Sequence, residues 1–217
     1  MAAQTTTDTR LLDVAIDHFG RFGLSGASTR AIAKDAETPM SSITYHFGGK
    51  EGLYLAAAQR ISALMAAKLS PAVGDIDNAI ADGGIGAARK ALHATYANML
   101  RIIAGPDAAP LARFIAREQA DPTEAFSIIF EDMMAPLLTR VVALLKIVSG
   151  GSLDDGEGRL RAISLFGQAL VFRVARQTAI RGMGWPDIGA KQLAAIEQVL
   201  YAHLSAVLDQ LAARGRT

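Results

Sequence analysis

The spacing of apolar residues most constrains the fold, because these residues recur at helical intervals along almost the whole chain. No segment of useful length alternates strictly between apolar and polar residues, as a half-buried strand does. Valine and threonine are also scarce relative to alanine and leucine. The sequence therefore predicts an all-α protein, and its 217 residues suit one large domain or two small ones.

Composition excludes several classes of protein. The chain has no cysteine, which rules out disulfide scaffolds, thiolate metal sites and cysteine nucleophiles. Alanine raises the mean hydropathy to +0.24, but no stretch of about 18 residues is strongly apolar and free of charge, so no membrane span is predicted. The stretch from Met1 to Arg10 lacks the apolar segment of a signal peptide, and we expect a cytoplasmic protein.

Proline, glycine and capping residues divide the chain into helices. Thr38 and Pro39 suit an N-cap and a first helical position, and the run Asp-Pro-Thr-Glu at 121–124 adds a capping-box acid to the same pattern. A helix that starts at Lys50 is expected to end before Pro71 and to be followed by an irregular segment. The expected helices are, approximately, 8–22, 28–36, 39–46, 50–69, 87–104, 110–120, 122–148, 158–181 and 188–213.

The segment 28–46 has the form of a helix-turn-helix, with Glu37 and Thr38 between two short helices. The second of these helices has polar residues around two expected core positions, Ile43 and Phe47. Such a helix gains little from burial, whereas its small hydroxyl side chains allow the backbone to come close to the floor of a DNA groove. The alternative is an ordinary solvated helix in a small bundle.

Candidate DNA-contacting residues lie on this helix and at the starts of its neighbours. Ser41, Ser42 and Thr44 are expected to contact bases, because hydroxyl groups bond to base edges. The starts of the neighbouring helices have free N–H groups that favour phosphate oxygens. The residues expected to hold the DNA backbone are Thr29, Arg30, Tyr45, His46 and Lys50. For Tyr45 and His46 the alternative is partial core packing with a polar tip.

The first 55 or so residues resemble the DNA-binding domain of TetR/AcrR-type transcriptional regulators, about one quarter of the chain. The match is carried by the run Thr-Arg-x-Ile-Ala from Thr29 and by Tyr-His-Phe-x-x-Lys-x-x-Leu over 45–53. The resemblance implies a DNA-binding transcriptional regulator that reads a palindromic operator as a homodimer. It further implies a repressor that a small-molecule ligand releases from DNA.

The C-terminal part resembles the CecR/CerR-like branch of that family. The matching residues are Arg117-Glu118, Asp121-Pro122-Thr123, Pro136, Gly167-Gln168, Arg173 to Arg176 and Gly184-Trp185. This resemblance implies a domain that supplies dimer contacts and a ligand pocket. We therefore expect a DNA-binding domain over 1–55 and a ligand-binding and dimerisation domain over 56–217.

Three features depart from the family pattern. Thr44 stands where the family often has tyrosine, which implies one phosphate contact fewer. Glu37 occupies a turn position where the family usually has glycine, and a residue with a Cβ costs about 1 kcal/mol there if the turn requires a positive φ. Residues 1–55 also carry five Lys or Arg against six acids. DNA binding then has to rest on individually placed charges rather than on a broad positive field. The alternative function is a helical small-molecule-binding protein with a vestigial helix-turn-helix.

Adaptable Met and Phe side chains, together with arginines embedded in apolar helices, are candidates for a ligand pocket. The candidate pocket residues are Met99, Phe114, Arg117, Phe126, Phe130, Met133, Phe166, Phe172 and Arg176. Ordinary core packing is the alternative for each apolar residue, and internal pairing is the alternative for the arginines. Catalytic fingerprints and metal-ligand histidine spacing are absent from the sequence, so we expect no enzyme activity, no cofactor and no metal.

The last two predicted helices are candidates for a dimer interface. Each has a long apolar row, which runs from Leu160 to Val174 in one helix and from Leu193 to Leu211 in the other. Two such helices from each protomer fit a four-helix interface. Packing within one chain is the alternative.

Overall fold

The computed structural model describes residues 6–105 and 108–215, and the regular structure of these residues is helical throughout, without a strand. The all-α prediction is confirmed. No helix in the same residues is long and apolar enough to cross a membrane. The helices are α1 (Thr6–Gly26), α2 (Thr29–Asp35), α3 (Ser41–Phe47), α4 (Lys50–Asp82), α5 (Ile85–Ala104), α6 (Ala109–Ala120), α7 (Glu124–Ile129), a π-helical turn (Phe130–Met134), α8 (Ala135–Val148), α9 (Asp155–Val174), α10 (Arg176–Met183) and α11 (Ala190–Arg214).

The described residues form two compact units, which we call unit 1 and unit 2. Unit 1 comprises residues 6–67 and 108–134, and unit 2 comprises residues 68–105 and 135–215. Helices α6 and α7, which the sequence-based division assigns to the C-terminal domain, thus pack in unit 1 with the helix-turn-helix. The functional division at residue 55 stays a prediction.

The core of unit 1 forms because each of its helices buries one apolar face. On α1, Leu12 and Phe19 are fully buried at a spacing that brings them to the same side of the helix. Ile32 of α2 and Ile43 of α3 lie in the same cluster, as does Phe114 of α6. Burial of each large apolar side chain stabilises the unit by about 1.5–3 kcal/mol, so the short helices α2 and α3 depend on this packing.

Unit 2 is a bundle in which α5, α8, α9 and α11 pack against one another. Its core contains Leu100 of α5, Leu144 of α8 and Leu208 of α11, all buried. The buried hydroxyl of Tyr96 donates to the backbone carbonyl of Leu165, 2.6 Å away, which joins α5 to α9. Most of the apolar row expected on α11 to face a partner is buried inside this unit.

The predicted end of the fourth helix before Pro71 is wrong. Helix α4 continues through Pro71 to Asp82, which includes most of the segment expected to be irregular. Proline removes one helical hydrogen bond, at a cost of about 3 kcal/mol in a helix interior. Helix α4 keeps its course because a buried row of Leu69, Ala72, Ile76 and Ala79 follows helical spacing across the proline.

Three other predicted boundaries are also corrected. Thr123, rather than Asp121, caps α7, since its hydroxyl accepts a hydrogen bond from the N–H of Ala125. The helix expected to continue to Val148 is divided by the π-helical turn. The helix expected over 158–181 is two helices, because Ala175 leaves the helical conformation with φ −102° and ψ 32°. The residue before this break is a β-branched valine, and no proline or glycine marks the site in the sequence.

Candidate nucleic-acid interface

Local hydrogen bonds build the helix-turn-helix from α2 and α3. The hydroxyl of Ser28 accepts a hydrogen bond from the N–H of Ala31 and caps α2. The turn then passes through Glu37, whose φ of 53° is the only positive value at a non-glycine among residues 6–105 and 108–215. The N–H of Ser42 donates to the carbonyl of Pro39, so a tight turn leads into α3. Thr38 does not cap this helix as expected, because α3 starts at Ser41 and its N-cap, Met40, makes no side-chain bond.

Helix α3 exposes most of its side chains. Ile43 is buried and Phe47 half-buried, which confirms the two core positions expected from the sequence. Ser41 and Thr44 are exposed, Ser42 is half-buried, and Tyr45 is 85% exposed. The core packing proposed as an alternative for Tyr45 is therefore absent in this structure. A polar helix held by one buried isoleucine leaves its outer face available to a ligand.

Two of the candidate backbone-holding residues already have partners within the protein. The ammonium group of Lys50, at the start of α4, donates to the carbonyl of Ser25 at 2.9 Å. The ring of His46 is exposed, and its Nδ1 lies 3.7 Å from a carboxylate oxygen of Asp8 on α1. Both contacts join the C-terminal end of α3 and the start of α4 to α1. Thr29 and Arg30 lie at the start of α2, half-buried and exposed respectively.

Three of the six acids of residues 1–55 form ion pairs with arginines. Glu37 pairs with Arg10 at 2.8 Å, and the hydrogen bond from that guanidinium lowers the pKa of Glu37. Two further pairs recruit arginines from outside this segment, Arg60 to Asp13 at 3.2 Å and Arg113 to Asp17 at 2.6 Å. Asp35 lies 2.8 Å from His18 and Asp8 lies 3.7 Å from His46, contacts that are ion pairs only when the imidazole is protonated, and Glu51 has no such neighbour in the described structure.

Sequence reasoning missed one cation of this surface, Lys34. Arg30 and Lys34 lie one turn apart on α2, and both are exposed. Neither makes an ion pair with any residue in 6–105 or 108–215. The signal available in the sequence was the spacing of four residues from Arg30, on the side of α2 opposite the buried Ile32 and Ala33.

The candidate pocket residues are divided between the two units. In unit 1, Phe114 is fully buried and stacks on Tyr54, Phe126 stacks on Phe130, and Arg117 donates to the carbonyl of Arg21. Met133 is half-buried in the same unit.

In unit 2, Met99 is buried, Phe166 is exposed and Phe172 is half-buried. Arg176 pairs with Asp187 through one guanidinium nitrogen, while its Nη1 is buried without a partner in the described structure. None of the nine candidates lines the groove of about 570 Å³ beside α1 or the small void beside His93. The ligand pocket stays a prediction.

Helix α9 carries an exposed apolar face within unit 2. Leu160 and Val174, two-thirds exposed, mark its ends, and Ile163, Phe166 and Leu170 continue it between them. These residues repeat every three or four positions, so they form one stripe along the helix. Apolar stripes of this length are rare on monomers and mark interaction sites.

Comparisons with known proteins agree with this geometry. Residues 11–57 match the family model of bacterial regulatory proteins of the tetR family. Residues 88–211, more than half of the chain, match the model of the C-terminal domain of the HTH-type transcriptional dual regulator CecR. The curated CecR of Shigella flexneri is 30% identical over 94% of this chain and 92% of its own length.

Two solved structures are similar in fold. A protein of Pseudomonas aeruginosa PAO1 has a TM-score of 0.71 at 19% identity, with coverage of 98% of this chain and 96% of that one. The transcriptional regulator FadR of Bacillus subtilis, solved in complex with stearoyl-CoA, has a TM-score of 0.58 at 18% identity, with coverage of 94% and 97%.

Proposed function

This chain belongs to the TetR family of transcriptional regulators, with a C-terminal domain of the CecR type, and from that premise we propose that it is a homodimeric, ligand-controlled repressor that reads a palindromic operator. Proteins of this family are regulators rather than enzymes. We further propose that it acts in the cytoplasm, where its operator DNA would be.

The observation that carries the proposal is the exposed, polar outer face of α3 beside Arg30 and Lys34 of α2, which make no ion pair within the described part of the chain. Helix α3 would enter the major groove, where Ser41, Ser42 and Thr44 would contact base edges. The free cation Arg30, with Thr29 at the start of α2, would hold phosphates. Lys34, from its exposed position one turn further along α2, would add a third backbone contact.

The C-terminal end of α3 and the start of α4 would also hold the DNA backbone. The ring of Tyr45 is free to reach a phosphate because it is 85% exposed. His46 and Lys50 would bind phosphate with the orientation set by their contacts to Asp8 and the carbonyl of Ser25. Ion pairing of the neighbouring acids supports this reading over a vestigial helix-turn-helix, since paired carboxylates repel phosphate less than free ones.

We assign the dimer interface to the exposed stripe of α9. On α11 most of the row expected from the sequence is buried, and the exposed large apolar residues are Val199 and Tyr201, each about half exposed on either flank of that row. Two helices from each protomer would form a four-helix interface. Twofold symmetry then brings two copies of α3 to half-sites separated by about one turn of DNA or a near multiple.

A small-molecule effector would control DNA binding by favouring one of two conformations. FadR, a structural neighbour, was solved with stearoyl-CoA, which supports a ligand role for the C-terminal domain without identifying the ligand of this chain. The second candidate function is activation of transcription at some operators, because the CecR relative is named a dual regulator.

The test is selection of bound duplexes from a random pool, followed by affinity measurement on the selected site. A palindromic consensus is expected, with a modest dependence of affinity on salt of about 0.9 in the log–log slope per phosphate neutralised. Thr44→Ala and Ser42→Ala should alter the consensus, whereas Arg30→Ala should weaken binding to all sequences alike. Absence of any selected sequence at low salt would favour the rival, a small-molecule-binding protein without a DNA site.

A further inference from the structure

Two consecutive residues of α6, Arg117 and Glu118, contact the helices that flank the helix-turn-helix. The guanidinium of Arg117 donates to the backbone carbonyl of Arg21, near the end of α1, at 3.2 Å. The carboxyl group of Glu118 accepts a hydrogen bond from the hydroxyl of Tyr54, in the second turn of α4, at 2.5 Å. All of these residues belong to unit 1.

Glu118 is an unusual residue for its environment. It is 1% exposed, and the described structure gives it no cationic partner within ion-pair distance. Carboxyl groups are almost never fully buried unless they are paired. Its second oxygen is instead held by Thr123, whose N–H and hydroxyl donate to it at 3.0 and 2.9 Å. Burial of a carboxyl group that only neutral donors contact lowers the free energy of unfolding. Its presence therefore indicates a role other than stabilisation.

Tyr54 connects this acid to the core of the helix-turn-helix. Its ring is 2% exposed, meets Phe19 of α1 edge-on and stacks on Phe114 of α6. Burial, and then the hydrogen bond to Glu118, raises the pKa of its hydroxyl. The bond from Tyr54 to Glu118 is therefore made in a rigid setting, where a shift of α4 would break it.

Gly23 allows the contact between Arg117 and α1. Its φ of 72° is favourable for glycine, and a Cβ at this position would lie 3.1 Å from a guanidinium nitrogen of Arg117. The carbonyl of Arg21 is thereby open to the arginine at the point where α1 departs from regular helix. Helix α6 thus holds α1 at its end and α4 near its beginning, on either side of α2 and α3.

We propose that Arg117 and Glu118 are positioning residues for DNA reading, which hold α1 and α4 so that the helix-turn-helix, α6 and α7 move as one body. The motif Arg-Glu-x-x-x-x-Thr over 117–123 then sets the orientation of α3 without touching DNA. This inference rests on the proposed function, because its consequence is measured as operator affinity.

The experiment uses the full-length protein and the duplex selected from a random pool. Glu118→Gln keeps the size of the side chain but weakens its acceptance from Tyr54 and Thr123, and Glu131→Gln makes the same chemical change at an exposed position of unit 1. We expect Glu118→Gln to raise the Kd for the operator about tenfold, the effect of one lost buried hydrogen bond, and Glu131→Gln to change it less than twofold. The dependence of Kd on salt should be the same in both, because no phosphate contact is lost.

Further variants separate positioning from simple stability. Tyr54→Phe should raise the Kd on its own but add less than twofold in the Glu118→Gln background, because both changes break the same bond. Thr123→Ser should behave as the unaltered protein, and Thr123→Val, which lacks the hydroxyl, should resemble Glu118→Gln. If Glu118→Gln does not fold, Tyr54→Phe and Thr123→Val decide the question alone.

A folded Glu118→Gln variant with unaltered Kd would overturn the proposal, even if its melting temperature fell. Hydrogen exchange in the DNA-free protein supplies a readout independent of operator binding. We expect Glu118→Gln to speed exchange in the first turns of α4 as well as in α6, whereas faster exchange in α6 alone would contradict the inference. Failure of the unaltered protein to bind any duplex would instead refute the proposed function. The hydrogen-exchange rates in α4 and α6 would then still show whether Glu118 holds the two helices together.

Discussion

The Glu37→Gly variant should be more stable than the Glu37→Ala variant, because glycine relieves backbone strain in the turn between α2 and α3. Glu37 has φ 53° in the turn between α2 and α3, and a residue with a Cβ in this left-handed region costs about 1–2 kcal/mol. The larger loss of backbone entropy of glycine on folding offsets about 0.5–1 kcal/mol of the strain that the substitution relieves. The net gain at the turn is about 0.5–1 kcal/mol, which corresponds to about 1–4 °C in Tm for a domain of this size.

The control for this prediction is Glu37→Ala, because both variants lose the exposed ion pair with Arg10. Alanine retains the strained backbone, so Glu37→Gly should exceed Glu37→Ala in the free energy of unfolding by the full net gain. Glu37→Asn should lie between them, since asparagine tolerates this conformation. Urea unfolding of all three at neutral pH measures the difference. Equal stability of the Gly and Ala variants would show that the turn is not strained, and the reasoning would be refuted.

Three further outcomes follow from the same structure. Arg30→Ala should reduce the slope of log K against log salt by about 1.8 for a dimer on its operator, because each of the two protomers loses one phosphate contact worth about 0.9, and an unchanged slope in titrations of operator DNA would remove Arg30 from the interface. Ile163→Glu, on the exposed stripe of α9, should produce monomers in sedimentation experiments, whereas Ile85→Glu, equally apolar and exposed at the start of α5, should leave the oligomeric state unaltered. Burial raises the pKa of Tyr96 to about 12 from an unfolded value near 10, so its contribution is present below about pH 10 and is lost as pH rises towards 12. Between about pH 10 and 12 the free energy of urea unfolding should therefore fall less for Tyr96→Phe than for the unaltered protein. An equal fall in both proteins would contradict the assignment.

The elements predicted correctly from the sequence are those in which local signals agree with packing. Helix α4 begins at Lys50 as expected, α2 over Thr29–Asp35 is close to the expected 28–36, and Ile43 is the buried residue of α3. The predictions that failed depend on contacts distant in sequence. Pro71 is a strong local signal for a helix end, but the buried row across it in α4 outweighs the lost hydrogen bond. The apolar row of α11 looks the same in the sequence whether it faces a partner or its own core.

The same limit applies to the electrostatics of the candidate site. Counted along residues 1–55, acids outnumber bases, and this count suggested a vestigial helix-turn-helix. In the folded unit, Asp13 and Asp17 are paired with Arg60 and Arg113, which lie 47 and 96 positions away in the sequence. Local composition cannot reveal such pairs. The electrostatic field that DNA would meet is set by the charged groups that have no ion-pair partner. Arg30 is one of them, since it is exposed and unpaired in the described residues. The sign of a local charge count is therefore a poor guide to DNA binding in a small helical unit.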